Sequence, residues 1–260
     1  MKIVRFTARD AVPRYGVLRD KHIVGITGDV FSDFEEKGDI YPLENVRLLA
    51  PVTPPNVIVI GLNYKSHAQE IRLPFPKQPI VLTKTTNSVT GPGADIILPR
   101  IAPDEVDYEA ELAIVIGKEA KEINEEDAIG YVFGYTCAND VSARDCQFKQ
   151  DQQWTRAKSF DTFSPIGPCI QTEMDPDNTG IKLRLNGTVM QESNTSDLIF
   201  PCGKLVSFLS SCMTLFPGTV ILTGTPAGVG FKRTPPVYLR RGDAVEVEIE
   251  NIGVLRNRVV

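Results

Sequence analysis

Two glutamates stand two positions apart in the segment VDYEAELAIVIG, residues 106–117, whose apolar residues are typical of a buried strand. Side chains two apart on a strand point to the same face, so Glu109 and Glu111 are expected to be neighbours. Two carboxylates on one partly apolar face repel each other and are costly to bury. A bound cation would turn that repulsion into attraction, which makes the pair a candidate metal site.

A third carboxylate, Asp140, follows the strand-like segment GYVFGYTCAN. Three carboxylates suit a hard divalent cation, which prefers oxygen ligands; Mg²⁺ is expected, and Mn²⁺ or Ca²⁺ would use similar ligands. Two simpler interpretations stay open. Glu109 and Glu111 are compatible with a solvated sheet face, and Asp140 with the N-cap of a following helix.

Arg144 and Gln147 lie four and seven positions after Asp140, along one edge of a helix if VSARDCQFKQ is helical. Beside a metal, an Arg and a Gln suit a carboxylate substrate, because Arg binds a carboxylate through two parallel hydrogen bonds. The alternative for Arg144 is an intrahelical ion pair with Asp140 or Asp145.

The segment NYKSHAQE places His67 and Glu70 three positions apart. On a helical turn they share a face, and a carboxylate beside an imidazole raises its basicity and fixes its tautomer. The alternative is a surface loop in which the two residues meet by chance. Lys158 precedes the turn-rich segment SFDTFSPIGP, where it is either a solvated charge or a cation that stabilises an oxyanion.

The glycine-rich segment TGTPAGVG, residues 223–230, resembles an anion-binding nest of backbone N–H groups. It lacks the GK[ST] ending of a phosphate-binding loop, so it is weak support for nucleotide binding.

Composition excludes several classes of protein. The 260 residues carry a formal net charge of −5, so no broad basic surface is expected to bind nucleic acid. The longest apolar run, residues 57–62, is too short to span a bilayer, and MKIVRFTARD has no apolar core of a secretory signal. Five cysteines without metal-type spacing indicate reduced, mostly buried thiols in a cytoplasmic protein. With two histidines in the chain, carboxylates must carry any metal chemistry.

The pattern of elements is dominated by strands. Strands are predicted at KIVRF, HIVGI, NVIVIG, IVLTK, residues 107–116, GYVFGYTCAND, TVILT and AVEVEIE. Helices are predicted to start at the Asn of NEEDA (124–128) and to span KLVSFLSSCMTLF (204–216). These elements predict a mainly β or α+β fold rather than alternating βαβ units.

Five motifs occur in a characteristic order: NYxxHxxE, DYExELAxVIG, NDVSARDxQ, AKSFDTFxPIGP and LxTGTPxGVG. From about residue 57 to the C-terminus this series resembles the fumarylacetoacetate hydrolase family. The resemblance implies a rolled, mixed β-sandwich, generally dimeric, over residues 51–260, with a small β-rich N-terminal domain over residues 1–50.

The resemblance also implies roles for individual residues. Glu109, Glu111 and Asp140 would hold Mg²⁺ or a similar ion. The substrate would be contacted by Arg144, Gln147 and Thr225, while Lys158 would stabilise developing enolate charge and His67 with Glu70 would act as the general base. A side-chain pocket is expected from residues 72–79 and 148–154, where Arg72, Lys77 and Lys149 are the charges considered.

The expected function is that of a divalent-metal-dependent enzyme acting on a 2-oxo or enol carboxylic acid through an enolate. Fumarylacetoacetate hydrolase itself has a fourth carboxylate shortly before its catalytic His, whereas IGLNYKS has none ahead of His67. This difference favours smaller members that cleave acylpyruvates or isomerise 2-hydroxyhepta-2,4-diene-1,7-dioate-type acids, as in aromatic catabolism. The alternatives are an oxaloacetate decarboxylase or tautomerase, and a non-catalytic, metal-dependent oxo-acid binding protein. A homodimer is expected from the family.

Overall fold

Short strands predominate in the computed structural model, which describes residues 1–150 and 152–260. The strands before residue 50 are β1 (Lys2–Thr7), β2 (Pro13–Arg19), β3 (His22–Gly28), β4 (Phe34–Pro42) and β5 (Arg47–Leu48). The next strands are β6 (Val57–Gly61), β7 (Ile80–Lys84), β8 (Val89–Thr90), β9 (Asp95–Ile96), β10 (Val106–Asp107), β11 (Ala110–Ile116), β12 (Val132–Asn139) and β13 (Ser142–Ala143). The last are β14 (Ser164–Gln171), β15 (Gly180–Leu185), β16 (Thr188–Asn194), β17 (Val220–Leu222), β18 (Ala244–Ile249) and β19 (Gly253–Val259).

Helices are few and short. They are α1 (Lys65–Glu70), α2 (Trp154–Lys158) and α3 (Cys202–Cys212), with a π-helical turn at Cys146–Gln150. Single 3-10 turns cover Leu43–Asn45, Thr86–Ser88, Ala128–Tyr131, Thr195–Asp197 and Gly230–Lys232. Both α1 and α2 carry candidate site residues.

Two packed sheets make up most of the fold. The larger has the strand order β4-β3-β2-β1-β14-β12-β11-β17-β6-β7, with β5 paired to β1 and β8 to β14. The smaller has the order β16-β15-β18-β19-β9, and its strands pack against β11, β12 and β14. Parallel pairing of β17 with β6 among antiparallel neighbours makes the large sheet mixed. The predicted mainly β, mixed sandwich is therefore confirmed.

Strand β11 is buried on both faces. Its even-numbered residues, such as Leu112 and Ile114, join the core that also contains Leu183 and Val247 of the smaller sheet. On the opposite face Ala113 and Val115 pack with valines and leucines of neighbouring strands. Alternate residues of β11 therefore enter different parts of the core, and the apolar packing around β11 anchors the carboxylates at its start.

The N-terminal strands continue the large sheet. Strand β1 pairs antiparallel with β14, placing Lys2 opposite Gln171 and Ile3 opposite Ile170. The five strands before residue 50 agree with the predicted β-rich character of this segment. Its division from the rest of the chain as a separate domain stays a prediction.

The strand predicted at 107–116 is broken in two. Its first part, β10, pairs with β13, whereas β11 pairs with β12 and β17, and Tyr108 and Glu109 lie in neither strand. The backbone N–H of Tyr108 donates to the Asp107 carboxylate at 2.8 Å, and that of Glu109 donates to Asn139 Oδ1 at 3.0 Å. These side-chain acceptors replace the strand partners that an unbroken ladder would supply.

The prediction of a helix that starts at Asn124 is wrong. The segment forms turns and the 3-10 turn at Ala128–Tyr131, without a side-chain cap. Strand β12 begins at the next residue, which leaves too little chain for a stable helix.

Two other helical segments also differ from prediction. Helix α3 ends at Cys212 rather than residue 216, because Leu215 exchanges backbone hydrogen bonds with Ala120 at 2.9 and 3.0 Å. The segment VSARDCQFKQ starts as β13 and continues into the π-helical turn, so it is not a regular α-helix.

Candidate active site

The three candidate metal ligands lie together. Antiparallel pairing of Ala110 with Asn139 sets the start of β11 beside the end of β12, and Asp140 N–H donates to the Glu109 carbonyl at 2.9 Å. Carboxylate oxygens of Glu109, Glu111 and Asp140 lie within 4.8 Å of one another, and all three residues are buried. We call these three residues the carboxylate cage. The solvated-face alternative is wrong, and so is the N-cap alternative for Asp140, because strand β13 follows it.

Two buried lysines hold the carboxylate cage. Lys158 Nζ at the end of α2 lies 3.0 Å from Glu109 Oε2 and 2.5 Å from Asp140 Oδ2, and it also donates to Ser142 Oγ at 2.8 Å. Lys84 Nζ at the end of β7 donates to Asp140 Oδ1 at 2.6 Å and to the Phe163 carbonyl at 2.6 Å. The solvated alternative for Lys158 is therefore wrong.

Arg144 is surrounded by acceptors from this chain. Its Nη2 donates to Glu109 Oε1 at 2.6 Å, its Nε to Asp107 Oδ2 at 2.9 Å and its Nη1 to Gln147 Oε1 at 2.8 Å. The alternative of an intrahelical pair with Asp140 or Asp145 is wrong. Arg144 lines the site, but its guanidinium already orients a cage carboxylate.

The buried charges do not balance. Among the described residues, four carboxylates (Asp107, Glu109, Glu111 and Asp140) meet three cations (Lys84, Arg144 and Lys158) in this network. No described Lys or Arg forms an ion pair with Glu111, whose Oε2 accepts from Gly224 N–H at 2.6 Å. One negative charge is therefore uncompensated, and it falls on Glu111.

The pKa shifts follow from this imbalance. Burial, followed by the charges of Asp140 and Glu109, raises the pKa of Glu111 well above its usual range. Burial alone would also raise the pKa of Glu109, but the charges of Lys158 and Arg144 outweigh burial and lower it. For Lys84 burial dominates and lowers the pKa of the ammonium, whereas Asp140 and Glu109 outweigh burial and raise that of Lys158.

The glycine-rich segment 223–230 binds carboxylates of this chain through its N–H groups. Gly224 N–H donates to Glu111, and Gly228 N–H donates to Glu70 Oε1 at 2.8 Å. Gly230 N–H and Phe231 N–H donate to the two oxygens of Asp107 at 2.8 and 3.0 Å. The nest-like character predicted from the sequence is thus used to orient carboxylates of the site.

Glycine is required in this loop at two positions. Gly224 and Gly228 have φ angles of +101° and +105°, which side chains rarely adopt. A Cβ on Gly224 would lie 2.8 Å from the Asn63 Cβ, and one on Gly228 would lie 2.2 Å from the Met190 carbonyl oxygen. Close packing therefore fixes the direction of the N–H groups.

His67 and Glu70 form the predicted pair on α1. His67 Nδ1 lies 2.8 Å from Glu70 Oε2, and His67 lines the same cavity as the carboxylate cage. Since an ionised carboxylate only accepts, Nδ1 carries the proton and Nε2 is left to accept one. The chance-pair alternative is wrong, because Glu70 is held on its other oxygen by Gly228 N–H.

One cavity of about 300 Å³ is lined by eight of the nine predicted site residues. The ninth, Glu70, contacts His67, which is one of the eight. Thr225 lines the cavity, and its Oγ1 accepts from Gln191 Nε2 at 2.8 Å, which leaves the hydroxyl proton for a ligand. From the segments expected to form a pocket, Leu73, Phe148 and Trp154 line the cavity, whereas Lys149 pairs with Glu105. Residue 151, in the second of these segments, lies outside the described residues.

Sequence reasoning missed three residues that support the site. Lys84 ends an apolar strand, Asp107 receives three backbone N–H bonds, and Gln191 joins Thr225 to the Ala110 N–H. A lysine at the end of the strand-like segment IVLTK was the available signal for Lys84. Nothing in TVMQESN distinguishes Gln191 from a residue on a solvated hairpin.

Comparison with known proteins identifies the family. The family model described as fumarylacetoacetate (FAA) hydrolase C-terminal matches residues 56–260, and one described as Rv2993c-like, N-terminal matches residues 1–51. The chain therefore belongs to the fumarylacetoacetate hydrolase family.

Some of the proteins to which the chain is similar carry enzyme names. The chain is 48% identical over 225 residues to "Oxaloacetate tautomerase Fahd2a, mitochondrial" of Rattus norvegicus, covering 85% of this chain and 72% of that protein. It is 50% identical over 231 residues to "Fumarylacetoacetate hydrolase domain-containing protein 2 homolog" of Dictyostelium discoideum, covering 84% and 75%. The solved structure of 5-carboxymethyl-2-hydroxymuconate delta-isomerase from Mycobacterium smegmatis superposes with a TM-score of 0.90 at 40% identity, covering 100% of this chain and 99% of that one.

Two expectations from composition can be set against the structure. None of the five cysteines forms a disulfide, and four are buried while Cys212 is exposed, as predicted for reduced and mostly buried cysteines. Within the described ranges, no helix combines the length and apolar character needed to span a bilayer.

Replacing Lys84 by Met should destabilise the fold. The substitution removes one cation from a buried pair and leaves Asp140 with less compensation, so the free energy of unfolding should fall by about 3–5 kcal/mol. Urea denaturation in the presence of chelator measures this change. Lys37→Met, which removes an exposed ion pair with Glu35, should change it by less than about 1 kcal/mol. Equal effects of the two substitutions would contradict the assignment of Lys84.

Replacing Glu111 by Gln should raise the free energy of unfolding of the metal-free protein, in contrast to the loss expected for Lys84→Met. Gln can still accept from Gly224 N–H and is neutral without taking up a proton, whereas the raised pKa of Glu111 makes folding depend on proton uptake. The metal-free protein should therefore gain on the order of 1 kcal/mol near neutral pH. The same variant should lose the rise in melting temperature that Mg²⁺ produces in the unmodified protein. Glu44→Gln, at an exposed position, should keep that rise. A Glu111→Gln protein that Mg²⁺ stabilises fully would contradict the account.

Proposed function

We propose that this chain catalyses tautomerisation of a 2-oxo carboxylic acid through its enolate, with a divalent cation bound at the carboxylate cage. The observation that carries the proposal is the shared cavity, which presents the His67–Glu70 pair and the carboxylate cage with Lys158 to one ligand. A proton acceptor and a centre of positive charge are the two groups that enolisation requires.

The residues fit a divalent cation. Glu109, Glu111 and Asp140 would hold it, since they supply oxygen donors and carry one negative charge more than their surroundings balance. When bound, Mg²⁺ or a similar ion supplies Lewis acidity at the carboxylate and 2-oxo oxygens of the substrate. A doubly charged cation followed by a substrate carboxylate would bring the buried network to neutrality, which supports sequential binding of the two.

The proton transfers fall to His67. Its Nε2 accepts the proton from C3 of the substrate, while Glu70 holds the ring through Nδ1. Lys158 Nζ contributes positive charge beside the developing enolate oxygen, and Thr225 and Gln147 supply hydrogen-bonding groups for the substrate carboxylate. The protonated His67 then returns its Nε2 proton to the enolate oxygen, so the keto and enol forms interconvert without change in composition and the imidazole is neutral again.

Oxaloacetate is the first substrate to test, because the rat relative that matches 85% of this chain is named an oxaloacetate tautomerase. Isomerisation of a hydroxymuconate-type acid is the second candidate, supported by the name of the M. smegmatis structure. It uses the same enolate and the same base. Acylpyruvate cleavage, decarboxylation and the homodimer stay predictions.

Replacing His67 by Ala should lower kcat for oxaloacetate tautomerisation by roughly 10²-fold or more, because it removes the proton acceptor. Decay of enol absorbance with Mg²⁺, corrected for the rate without enzyme, measures the effect. The second histidine of the chain provides the control: His22→Ala, on β3, should leave kcat unchanged.

Affinity for oxalate, which resembles the enolate and does not react, separates the proposed enzyme from an oxo-acid binding protein. His67→Ala should bind oxalate with Mg²⁺ within a few-fold of the unmodified protein. If the unmodified protein binds oxalate but adds nothing to the enzyme-free rate for any 2-oxo acid, the binding-protein alternative is correct.

A further inference from the structure

The cavity is lined by charged side chains at the carboxylate cage and mainly by apolar side chains toward its mouth. Beyond the cage its walls are largely apolar, and the large side chains that line them include Leu73, Ile80, Leu82, Phe148, Trp154 and Phe231. We call these six residues the outer chamber. Leu73, Ile80, Phe148 and Trp154 are 54%, 41%, 43% and 39% exposed, although all are large and apolar. Such side chains gathered at the entrance of a cavity are typical of a ligand-binding surface.

Three rings of the outer chamber are ordered relative to one another. Phe148 meets Trp154 edge-on, with centroids 6.4 Å apart, and lies 5.5 Å from the Phe231 centroid. Arg144 Cζ lies 4.5 Å from the centroid of Phe231, so the row of rings begins beside the residue that orients Glu109. A substrate held at the cage would therefore extend its substituent along aromatic faces and edges.

The outer chamber has few positively charged groups that could bind a second carboxylate of a substrate. Among the described residues that line the cavity, Lys158 and Arg144 already pair with carboxylates of the chain, and Lys232 is the remaining cation. Lys232 is exposed, and its Nζ lies 5.3 Å from the Phe231 centroid. An exposed lysine contributes little to binding because water screens it. An apolar substituent, in contrast, would be removed from water by several side chains at once.

The volume of the cavity also favours an apolar substituent over a second carboxylate. A volume of about 300 Å³ lies at the lower end of the range for pockets that hold drug-sized molecules. A short dicarboxylate chelated at the cage would leave the outer chamber filled with water against apolar walls. A flat substituent on C3 would displace that water.

We propose that the outer chamber makes the protein selective for 2-oxo acids with a flat, apolar substituent on C3, such as an aryl group, over short dicarboxylates such as oxaloacetate. This selectivity rests on the proposed function. The reaction is unchanged: the C3 proton passes to His67, His67 returns it to the enolate oxygen, and no further reactant is consumed.

Binding can be followed without turnover, because Trp154 is the sole tryptophan of the chain and lines the outer chamber. Benzoylformate is an aryl 2-oxo acid that has no C3 hydrogen and cannot enolise, and oxamate is a short counterpart. With Mg²⁺ present, benzoylformate should change Trp154 fluorescence saturably and bind at least tenfold more tightly than oxamate. Equal affinities, or a tighter oxamate complex, would overturn the proposal.

Kinetics test the same selectivity. The ratio of kcat/KM for phenylpyruvate to that for oxaloacetate should exceed one and should fall roughly tenfold in Phe148→Ala, which removes the central ring. Phe148→Leu should retain most of the ratio, because the side chain stays apolar. Lys232→Gln is the matched control at the mouth and should change the ratio less than threefold.

The outcomes separate the two proposals. If oxaloacetate is turned over but phenylpyruvate is not preferred, or if Lys232→Gln selectively impairs oxaloacetate, the selectivity is wrong and the proposed function stands. If neither acid is turned over above the enzyme-free rate with Mg²⁺, the proposed function is wrong, and the selectivity of catalysis falls with it.

Discussion

An uncompensated negative charge inside the protein is the constraint on which the site depends. Burying a carboxylate without a partner is costly, and Glu111 lies beside two further carboxylates of the cage. The lysines and Arg144 reduce this cost for Glu109 and Asp140 but not fully for Glu111. In the absence of a cation, the raised pKa of Glu111 favours its protonated form. A divalent cation would favour the ionised form instead, so cation binding and deprotonation of Glu111 are linked.

The fold maintains this unfavourable arrangement by fixing the carboxylates from two directions. The pairing of β11 with β12 places Glu109, Glu111 and Asp140 together, and both faces of β11 are anchored by apolar packing. The glycine-rich segment 223–230 and the residue after it then hold Glu111, Glu70 and Asp107 with backbone N–H groups. One loop therefore orients a cage carboxylate, the carboxylate partner of His67 and a carboxylate partner of Arg144, which couples the geometry of the two halves of the site.

Local patterns in the sequence predicted the elements whose geometry is itself local. The two-residue period of a strand predicted that Glu109 and Glu111 are neighbours, although Glu109 lies just before β11 begins, and the contact of His67 with Glu70 follows from one helical turn. The order of motifs then joined distant segments into a recognisable family. The strand break after Asp107 and the loss of the helix at Asn124 were not predictable in this way, because each depends on acceptors or strands that the rest of the fold supplies. For the same reason the roles of Lys84 and Gln191 emerged only when segments far apart in sequence were brought together.

The central claim is that the carboxylate cage is a divalent-cation site, and anomalous diffraction from crystals soaked in Mn²⁺ tests it most directly. The account predicts one strong anomalous peak within bonding distance of oxygens from Glu109, Glu111 and Asp140, with Lys158 Nζ moved away from the two carboxylates it now bridges. A peak elsewhere in the molecule, with the cage still closed by Lys158, would contradict the account.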